Sequence, residues 1–222
     1  MNDSVSKLFQ GGGKATWLNH YSAQVCAKMN VPISAFDFVG IDGFLLRGLL
    51  RLKSGHTSAD ADLPSIIQSF NPTVGLIGGT EEDALAHKVA FESHFPQARV
   101  LWSINGYGES STERFTRSLM KDAPKILIIG LGPGLQEMEA LRLARITSDS
   151  PIRPLIVTCG GWLDQLAFET YYPRFAIALN LRWLVRLARD PKRLWKRYTL
   201  WALLALIRYR KLRKFCERTK AD

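Results

Sequence analysis

The sequence predicts an α/β protein in which a Rossmann-like, mostly parallel sheet is sandwiched by helices and followed by a basic, amphipathic helical appendage. The candidate strands are continuous apolar runs, which indicates that both faces of each strand are covered, as in a parallel sheet. Strands and helices alternate through most of the chain, which is typical of repeated βα units. From about residue 176 onward the pattern is helical without strands. The 222 residues are enough to bury one substantial core.

Apolar runs in the body of the chain are predicted to form six strands. They lie at residues 15–18, 35–40, 73–79, 99–104, 125–132 and 154–161, and the helices predicted between them lie at 20–29, 44–53, 81–94, 110–121 and 135–146. Ligands of such sheets bind beyond the carboxyl ends of the strands. We therefore expect one edge of the sheet to gather the small and polar clusters that follow the strands: Asp42-Gly43, Gly78-Gly79-Thr80, Asn105-Gly106, Gly130-Leu131-Gly132 and Gly160-Gly161.

The formal charge of +10 is concentrated at the C-terminal end of the chain. Residues 174–222 hold 15 Lys and Arg against three acidic residues, whereas residues 1–173 hold 15 basic residues against 17 acidic ones. We therefore divide the chain into an α/β catalytic domain at 1–173 and a basic helical appendage at 174–222. The appendage is predicted to face an anionic partner, either nucleic acid or an acidic membrane surface.

Eight consecutive apolar residues, 200–207, lie between basic segments of the appendage. This run is too short to span a bilayer, but it suits a helix that lies in the membrane interface with Lys and Arg against the lipid phosphates. Interleaved aromatic and basic residues would also suit single-stranded nucleic acid. The apolar run favours the membrane, and we expect no nucleic-acid partner. Because the N-terminus lacks the apolar region of a secretory signal, we expect a cytoplasmic protein, peripheral on the inner face of the cell membrane.

A glycine-rich turn at 130–134 follows the clearest strand and opens a helix. Its backbone N–H groups and the helix dipole could hold a phosphate group, which would also suit a nucleotide-dependent oxidoreductase. The turn is neither a P-loop nor a GxGxxG fingerprint, and Cys159 stands where a dinucleotide site needs an acidic residue. The alternative is a tight βα turn with Gln136 as the capping side chain, and the sequence leaves both interpretations open.

Two acidic motifs are candidates for chemistry. Asp42 ends a strand at the expected ligand edge, where it is either a turn residue or a general base. Asp60-Ala61-Asp62 is similar to a metal-binding DxD motif, but we interpret Asp62 as a helix N-cap with Pro64 in the first turn. The three cysteines and four histidines show no disulfide or metal-ligand spacing, so we expect neither a metal nor a cofactor.

Five sequence blocks occur in a fixed order between residues 16 and 198. They are Thr16-Trp17-Leu18-Asn19; Ile41-Asp42-Gly43; Leu76-Ile77-Gly78-Gly79 with Pro96 and Gly106-Tyr107; Gly130-Leu131-Gly132 with Gln136-Glu137; and Gly160-Gly161-Trp162-Leu163-Asp164, which is followed by Trp183-Leu184-Val185-Arg186-Leu187, Asp190-Pro191, Arg193 and Arg197-Tyr198. As an ordered set, these blocks resemble the WecG/TagA/CpsF family of bacterial glycosyltransferases.

The resemblance implies an inverting, metal-independent transferase that moves a sugar from a UDP-sugar onto a polyprenyl-diphosphate-linked sugar acceptor at the cytoplasmic membrane. Such enzymes serve the assembly of surface polysaccharide, capsule or teichoic acid. The resemblance makes Asp42 the general base and completes the site with arginines of the appendage. The substrate-binding residues that we expect on this basis are Thr16, Asn19, Gly78, Gly79, Gly106, Tyr107, Gly132, Gln136, Glu137, Asp164, Arg186, Arg193 and Arg197.

The sequence departs from the family pattern at several places. Only 15 residues precede Thr16, where family members usually have a further strand and helix, and a sheet edge left bare there could support a homo-oligomer. His56 or Thr57 stands near the usual place of an arginine, Gly134-Leu135 replaces Pro-Lys, and Arg182 replaces a glutamate. These differences concern the identity of the donor sugar more than the fold.

Overall fold

The computed structural model describes residues 11–52, 57–108, 111–148, 153–166, 173, 176 and 181–217. Within these residues a six-stranded sheet has the order β2-β1-β6-β5-β3-β4, and its paired strands are parallel. The strands are β1 (Gly13–Leu18), β2 (Phe38–Ile41), β3 (Thr73–Gly78), β4 (Arg99–Ile104), β5 (Ile126–Gly130) and β6 (Leu155–Thr158). This arrangement confirms the predicted Rossmann-like α/β fold.

Helices connect the strands and continue beyond the last one. Those of the body are α1 (His20–Lys28), α2 (Phe44–Leu49), α3 (Ala59–Phe70), α4 (Glu81–His94), α5 (Ser111–Asp122), α6 (Leu135–Ile146) and α7 (Trp162–Leu166). Those that follow are α8 (Arg182–Arg189), α9 (Pro191–Tyr198), α10 (Leu200–Ile207) and α11 (Tyr209–Glu217). Asp190 separates α8 from α9, and Pro191 opens α9, the helix position that proline tolerates best.

The sheet is covered on both faces, as continuous apolar strands require. One hydrophobic cluster joins residues of β1, β3, β5 and β6 to buried side chains of α3, α4 and α7, among them Ile67, Phe91 and Trp162. The other cluster joins Ile77 and Ile129 of the sheet to side chains of α1, α5 and α6. Alternate strand residues therefore pack on opposite faces of the sheet.

The appendage helices share the second of these clusters. Ala205 of α10 and Leu212 and Cys216 of α11 are buried with Ala23 and Cys26 of α1. Burial raises the pKa of the Cys216 thiol to about 12, as expected for a cysteine used as a packing residue. The division at residues 173 and 174 stays a prediction, and residues 174 and 175 lie outside the described residues.

Three predicted boundaries differ from those of the structure and are wrong. The second strand begins at Phe38 rather than at residue 35, because Ile33–Ala35 form a 3-10 turn. The helix that follows it ends at Leu49, well before residue 53. Asp62 is not an N-cap: α3 begins at Ala59, and the Asp62 carboxylate accepts a hydrogen bond of 2.9 Å from Trp17 Nε1, a contact that sequence spacing cannot reveal.

Candidate active site

A cavity of about 750 Å³ opens at the carboxyl ends of β1 and β2 and is closed on its other side by the appendage. The charged side chains in its wall are Asp42, Asp60, Arg47, Arg186 and Arg197, and the aromatic ones are Phe44, Trp183 and Tyr198. The cavity therefore combines carboxylates, guanidinium groups and flat apolar surface, which are the groups that bind sugars and phosphates.

Asp42 and Asn19 are held in the wall by the backbone at the ends of their strands. The Asp42 N–H donates to the Leu18 carbonyl at 2.8 Å, which joins the end of β2 to the end of β1. Gly43 then turns the chain into α2 with a φ of 78°, a conformation that favours glycine. Asn19 Oδ1 accepts hydrogen bonds from the N–H groups of Tyr21 and Ser22 at 3.0 and 3.1 Å, so Asn19 caps α1.

Arg197 enters the cavity from the appendage on an aromatic support. Its guanidinium carbon lies 5.2 Å from the centre of the Tyr21 ring and 5.7 Å from that of Tyr198, within the range of cation–π attraction. Burial lowers the pKa of Arg197, and the cation of Arg186 adds to this effect, whereas Tyr198 and Asp42 raise the pKa. The Arg197 guanidinium therefore lies within electrostatic range of both Arg186 and the Asp42 carboxylate.

Helix α1 holds the appendage over the cavity through main-chain carbonyl groups. His20 Nε2 lies 3.0 Å from the Arg197 carbonyl oxygen, and Gln24 Nε2 donates to the Trp201 carbonyl at 2.8 Å. The Tyr21 and Trp201 rings meet edge to face at 5.1 Å. Burial lowers the pKa of His20, which favours a neutral imidazole that donates its Nε2 proton to the carbonyl.

A buried hydrogen-bond network occupies the centre of the sheet edge. Glu137 accepts hydrogen bonds from the Gly134 N–H at 2.6 Å, from Gln136 Nε2 at 2.8 Å and from Thr16 Oγ1 at 3.2 Å. Gln136 Oε1 accepts from the Gly160 N–H at 3.2 Å. Burial raises the pKa of Glu137, while these donors counteract the shift. The helix cap of the glycine turn is therefore Glu137 rather than Gln136, and the network fixes two glycine turns to β1.

The remaining predicted residues lie along other parts of the edge. The Gly106 N–H donates to the Gly79 carbonyl at 2.8 Å, which joins the turns after β3 and β4, and Tyr107 beyond them is exposed. A second cavity of about 300 Å³ lies beside this pair of turns. Asp164 at the start of α7 pairs with His87 of α4, with Asp164 Oδ1 and His87 Nε2 3.0 Å apart.

The structure thus brings together four of the predicted site residues, Asn19, Asp42, Arg186 and Arg197, in one cavity. It encloses Thr16, Gln136 and Glu137 in the buried network, so their role as substrate ligands stays a prediction. The side chain of Arg193 lies outside the described part of the chain. Strand β2 is separated from β5 by β1 and β6, which puts Asp42 about 14 Å along the edge from the glycine turn that contains Gly132.

Sequence reasoning missed two charged residues of the large cavity. Asp60 belongs to the DxD motif, in which the sequence predicts Asp62 as a helix cap. The structure places Asp60 in the first turn of α3, where it lines the cavity. Arg47 lies on α2, shortly after Asp42, and no sequence motif marks it as a site residue. Only the packing of α2 decides which of its residues face the cavity. No cluster of three or more His, Cys, Asp or Glu side chains suited to a metal occurs in the described ranges.

The fold and the cavity define an α/β enzyme that gathers a carboxylate and several arginines at the carboxyl edge of a parallel sheet. The chain belongs to the glycosyl transferase WecG/TagA/CpsF family, whose model matches residues 21–217. A search among curated proteins finds no match. Family membership makes the protein a glycosyltransferase of cell-surface polysaccharide biosynthesis, a class that in general uses a nucleotide-sugar donor and a lipid-linked acceptor. It favours this interpretation over an oxidoreductase or a nucleic-acid-binding module.

Proposed function

We propose that the protein is an inverting, metal-independent glycosyltransferase that moves a sugar from a UDP-sugar to a polyprenyl-diphosphate-linked sugar. The observation that carries the proposal is the meeting of Asp42 with Arg186 and Arg197 in one cavity. The family supports transfer from a nucleotide-sugar to a lipid-linked acceptor in general terms. The UDP moiety, the polyprenyl carrier and the stereochemistry are the finer parts of the proposal.

In the proposed reaction Asp42 acts as the general base. Its carboxylate takes the proton of the acceptor hydroxyl while the hydroxyl oxygen attacks the anomeric carbon from the side opposite the nucleotide. A new carbon–oxygen bond forms, the bond from the anomeric carbon to the phosphate oxygen breaks, and its electron pair leaves with UDP. Arg186 and Arg197 supply positive charge for the diphosphate as it departs.

Two variants, one at each end of β2, test the role of Asp42. Asp42→Asn keeps the shape of the side chain and removes the base, so turnover of a UDP-sugar with a lipid-diphosphate-sugar acceptor should fall by about 10²–10⁴-fold. Asp37→Asn is the matched control, because Asp37 lies at the other end of β2 in an exposed ion pair with Lys14 of 2.8 Å. Turnover of Asp42→Asn equal to that of the control would remove Asp42 from the mechanism.

We further propose that α10 binds an anionic membrane surface. Leu203 and Ile207 lie one turn apart on its outer face with 55% and 68% of their side chains exposed, whereas Ala205 faces the core. Basic residues follow at once: Arg208, Arg210, Lys211, Arg213 and Lys214, all exposed. No helix within the described ranges is long and apolar enough to cross a bilayer. An apolar stripe beside exposed cations is the pattern of an interfacial helix.

Vesicle sedimentation tests the membrane proposal. Replacing both Leu203 and Ile207 by serine should lower binding to anionic vesicles by roughly tenfold or more, because two apolar side chains would no longer be transferred from water into the membrane interface. Leu85→Ser is the control, since Leu85 is equally exposed on α4. Substitution is preferable to deletion of the appendage, which would also remove core residues. Unchanged binding of the double variant, or strong binding to oligonucleotides instead of vesicles, would contradict the proposal.

A further inference from the structure

The large cavity contains more cationic than anionic side chains. Arg47, Arg186 and Arg197 line it together with Asp42 and Asp60. An excess of guanidinium groups in a concave site indicates an anionic ligand, and the planar fork of arginine fits phosphate oxygens two at a time. Arg186 and Arg197 come from the appendage, whereas Arg47 belongs to the α/β body. Cations therefore face the cavity from two different walls.

Two of these arginines have buried nitrogen atoms without an acceptor. Among the described residues, Arg47 Nη1 and Arg197 Nε are buried and have no hydrogen-bond partner. Buried polar atoms of folded proteins nearly always have a partner, so two such atoms in one cavity require an explanation. A ligand that supplies hydrogen-bond acceptors to both guanidinium groups would explain the missing partners.

Arg142 shows what a structural arginine looks like in the same protein. Its Nε and Nη2 donate to Glu139 at 2.9 and 2.5 Å, and its Nη1 donates to Thr116 Oγ1 at 3.0 Å. All three of its nitrogens are therefore bonded within the fold. Arg47 Nη1, in contrast, is buried without a hydrogen-bond partner among the described residues, although Arg47 as a whole is partly exposed.

We propose that Arg47 is a substrate-binding residue and that it binds a diphosphate group from the side opposite Arg197. The inference rests on the proposed function, since both substrates of that reaction contain a diphosphate. Arg47 lies on the short helix that begins directly after Asp42-Gly43. A diphosphate bound between Arg47 and Arg197 is therefore kept beside the general base, where the bond to the sugar is made or broken.

Binding measurements with two soluble ligands separate the possible sources of the diphosphate. Wild-type protein is titrated by calorimetry with UDP and with a two-isoprene polyprenyl diphosphate, and the same titrations are run with Arg47→Gln. Loss of the guanidinium should weaken binding of at least one ligand by about tenfold or more. A loss for UDP alone identifies the donor diphosphate, a loss for the polyprenyl diphosphate alone identifies the acceptor, and a loss for both identifies a shared subsite.

Two further variants, Arg51→Gln and Arg47→Lys, serve as controls. Arg51→Gln removes an exposed arginine four residues along the same segment and should bind both ligands like the wild type. Arg47→Lys keeps the charge but loses the fork, and it replaces Arg47→Gln if that variant does not fold. If the wild type binds either ligand and both Arg47 variants bind it equally well, the role of Arg47 is refuted while the proposed function stands. If the wild type binds neither ligand, both are refuted.

Discussion

Two alanine substitutions within the glycine turn should destabilise the fold by different amounts. Gly132 has a φ of 83°, and Gly134 combines a φ of 82° with a ψ of −54°; backbone conformations with such φ values favour glycine and cost a residue with a Cβ atom about 1–3 kcal/mol. A Cβ at Gly132 would meet nothing within 4 Å, whereas one at Gly134 would collide with Met29 Sδ and lie 3.2 Å from Val25 Cγ1. Both variants therefore carry a backbone penalty, and only Gly134→Ala adds a packing penalty.

The expected magnitudes follow from these two terms. Gly132→Ala should lower the free energy of unfolding by about 1–3 kcal/mol. Gly134→Ala should lower it by about 2–6 kcal/mol, because an overpacked methyl group adds about 1–3 kcal/mol. For a chain of this length, each kcal/mol lowers Tm by about 2–4 °C. Urea unfolding followed by circular dichroism, together with thermal scans, measures both quantities.

A double variant identifies the origin of the difference. Met29 is partly exposed, so Met29→Ala alone should cost little. In the Gly134→Ala background it should restore much of the additional loss, because it removes the atom with which the new Cβ collides. Equal destabilisation of the two single variants, or an additional loss that persists after Met29 is shortened, would refute this account of the turn.

Two further predictions concern the buried network and the appendage. Burial raises the pKa of Glu137, so the folded state keeps a proton that the unfolded state releases. The stability of the wild type relative to Glu137→Gln should therefore fall as the pH rises from the ordinary glutamate range through the raised pKa. Urea unfolding across that pH range measures the difference in stability, and a difference that stays constant with pH would contradict the prediction. Gln24→Ala removes the hydrogen bond to the Trp201 carbonyl, worth about 1 kcal/mol, so amide exchange in α10 should rise roughly fivefold while exchange in α5 stays unchanged.

The fold could be predicted because the strands are buried on both faces. A run such as 125–132 is apolar without alternation, and the structure has β5 there at Ile126–Gly130. Polar or glycine residues end each strand at the same edge, so the general location of a ligand site followed from the strand assignments. Asp42 could be predicted for that reason, since it needs only the end of β2 and not the packing of any helix.

The other cavity residues could not be predicted because they depend on contacts distant in sequence. The sequence around Asp62 is typical of a helix cap, but its carboxylate accepts a hydrogen bond from Trp17, 45 residues earlier. Arg47 and Asp60 face the cavity only because α2 and α3 pack at particular rotations on the sheet. Glu137 likewise depends on a contact distant in sequence: its carboxylate accepts a hydrogen bond from Thr16, 121 residues earlier, as well as from Gly134 and Gln136, and its role as a substrate ligand stays a prediction.

The way α1 binds the appendage has a consequence for how this region can change. His20 and Gln24 contact the main-chain carbonyl oxygens of Arg197 and Trp201. Every amino acid has such an oxygen, so these two contacts do not depend on the side chain at position 197 or 201. Docking by main-chain atoms leaves the outward side chains of α10 and α11 free to be exchanged. The exposed surface of these two helices can thus be changed, by mutation or by design, without loosening the helices that close the large cavity.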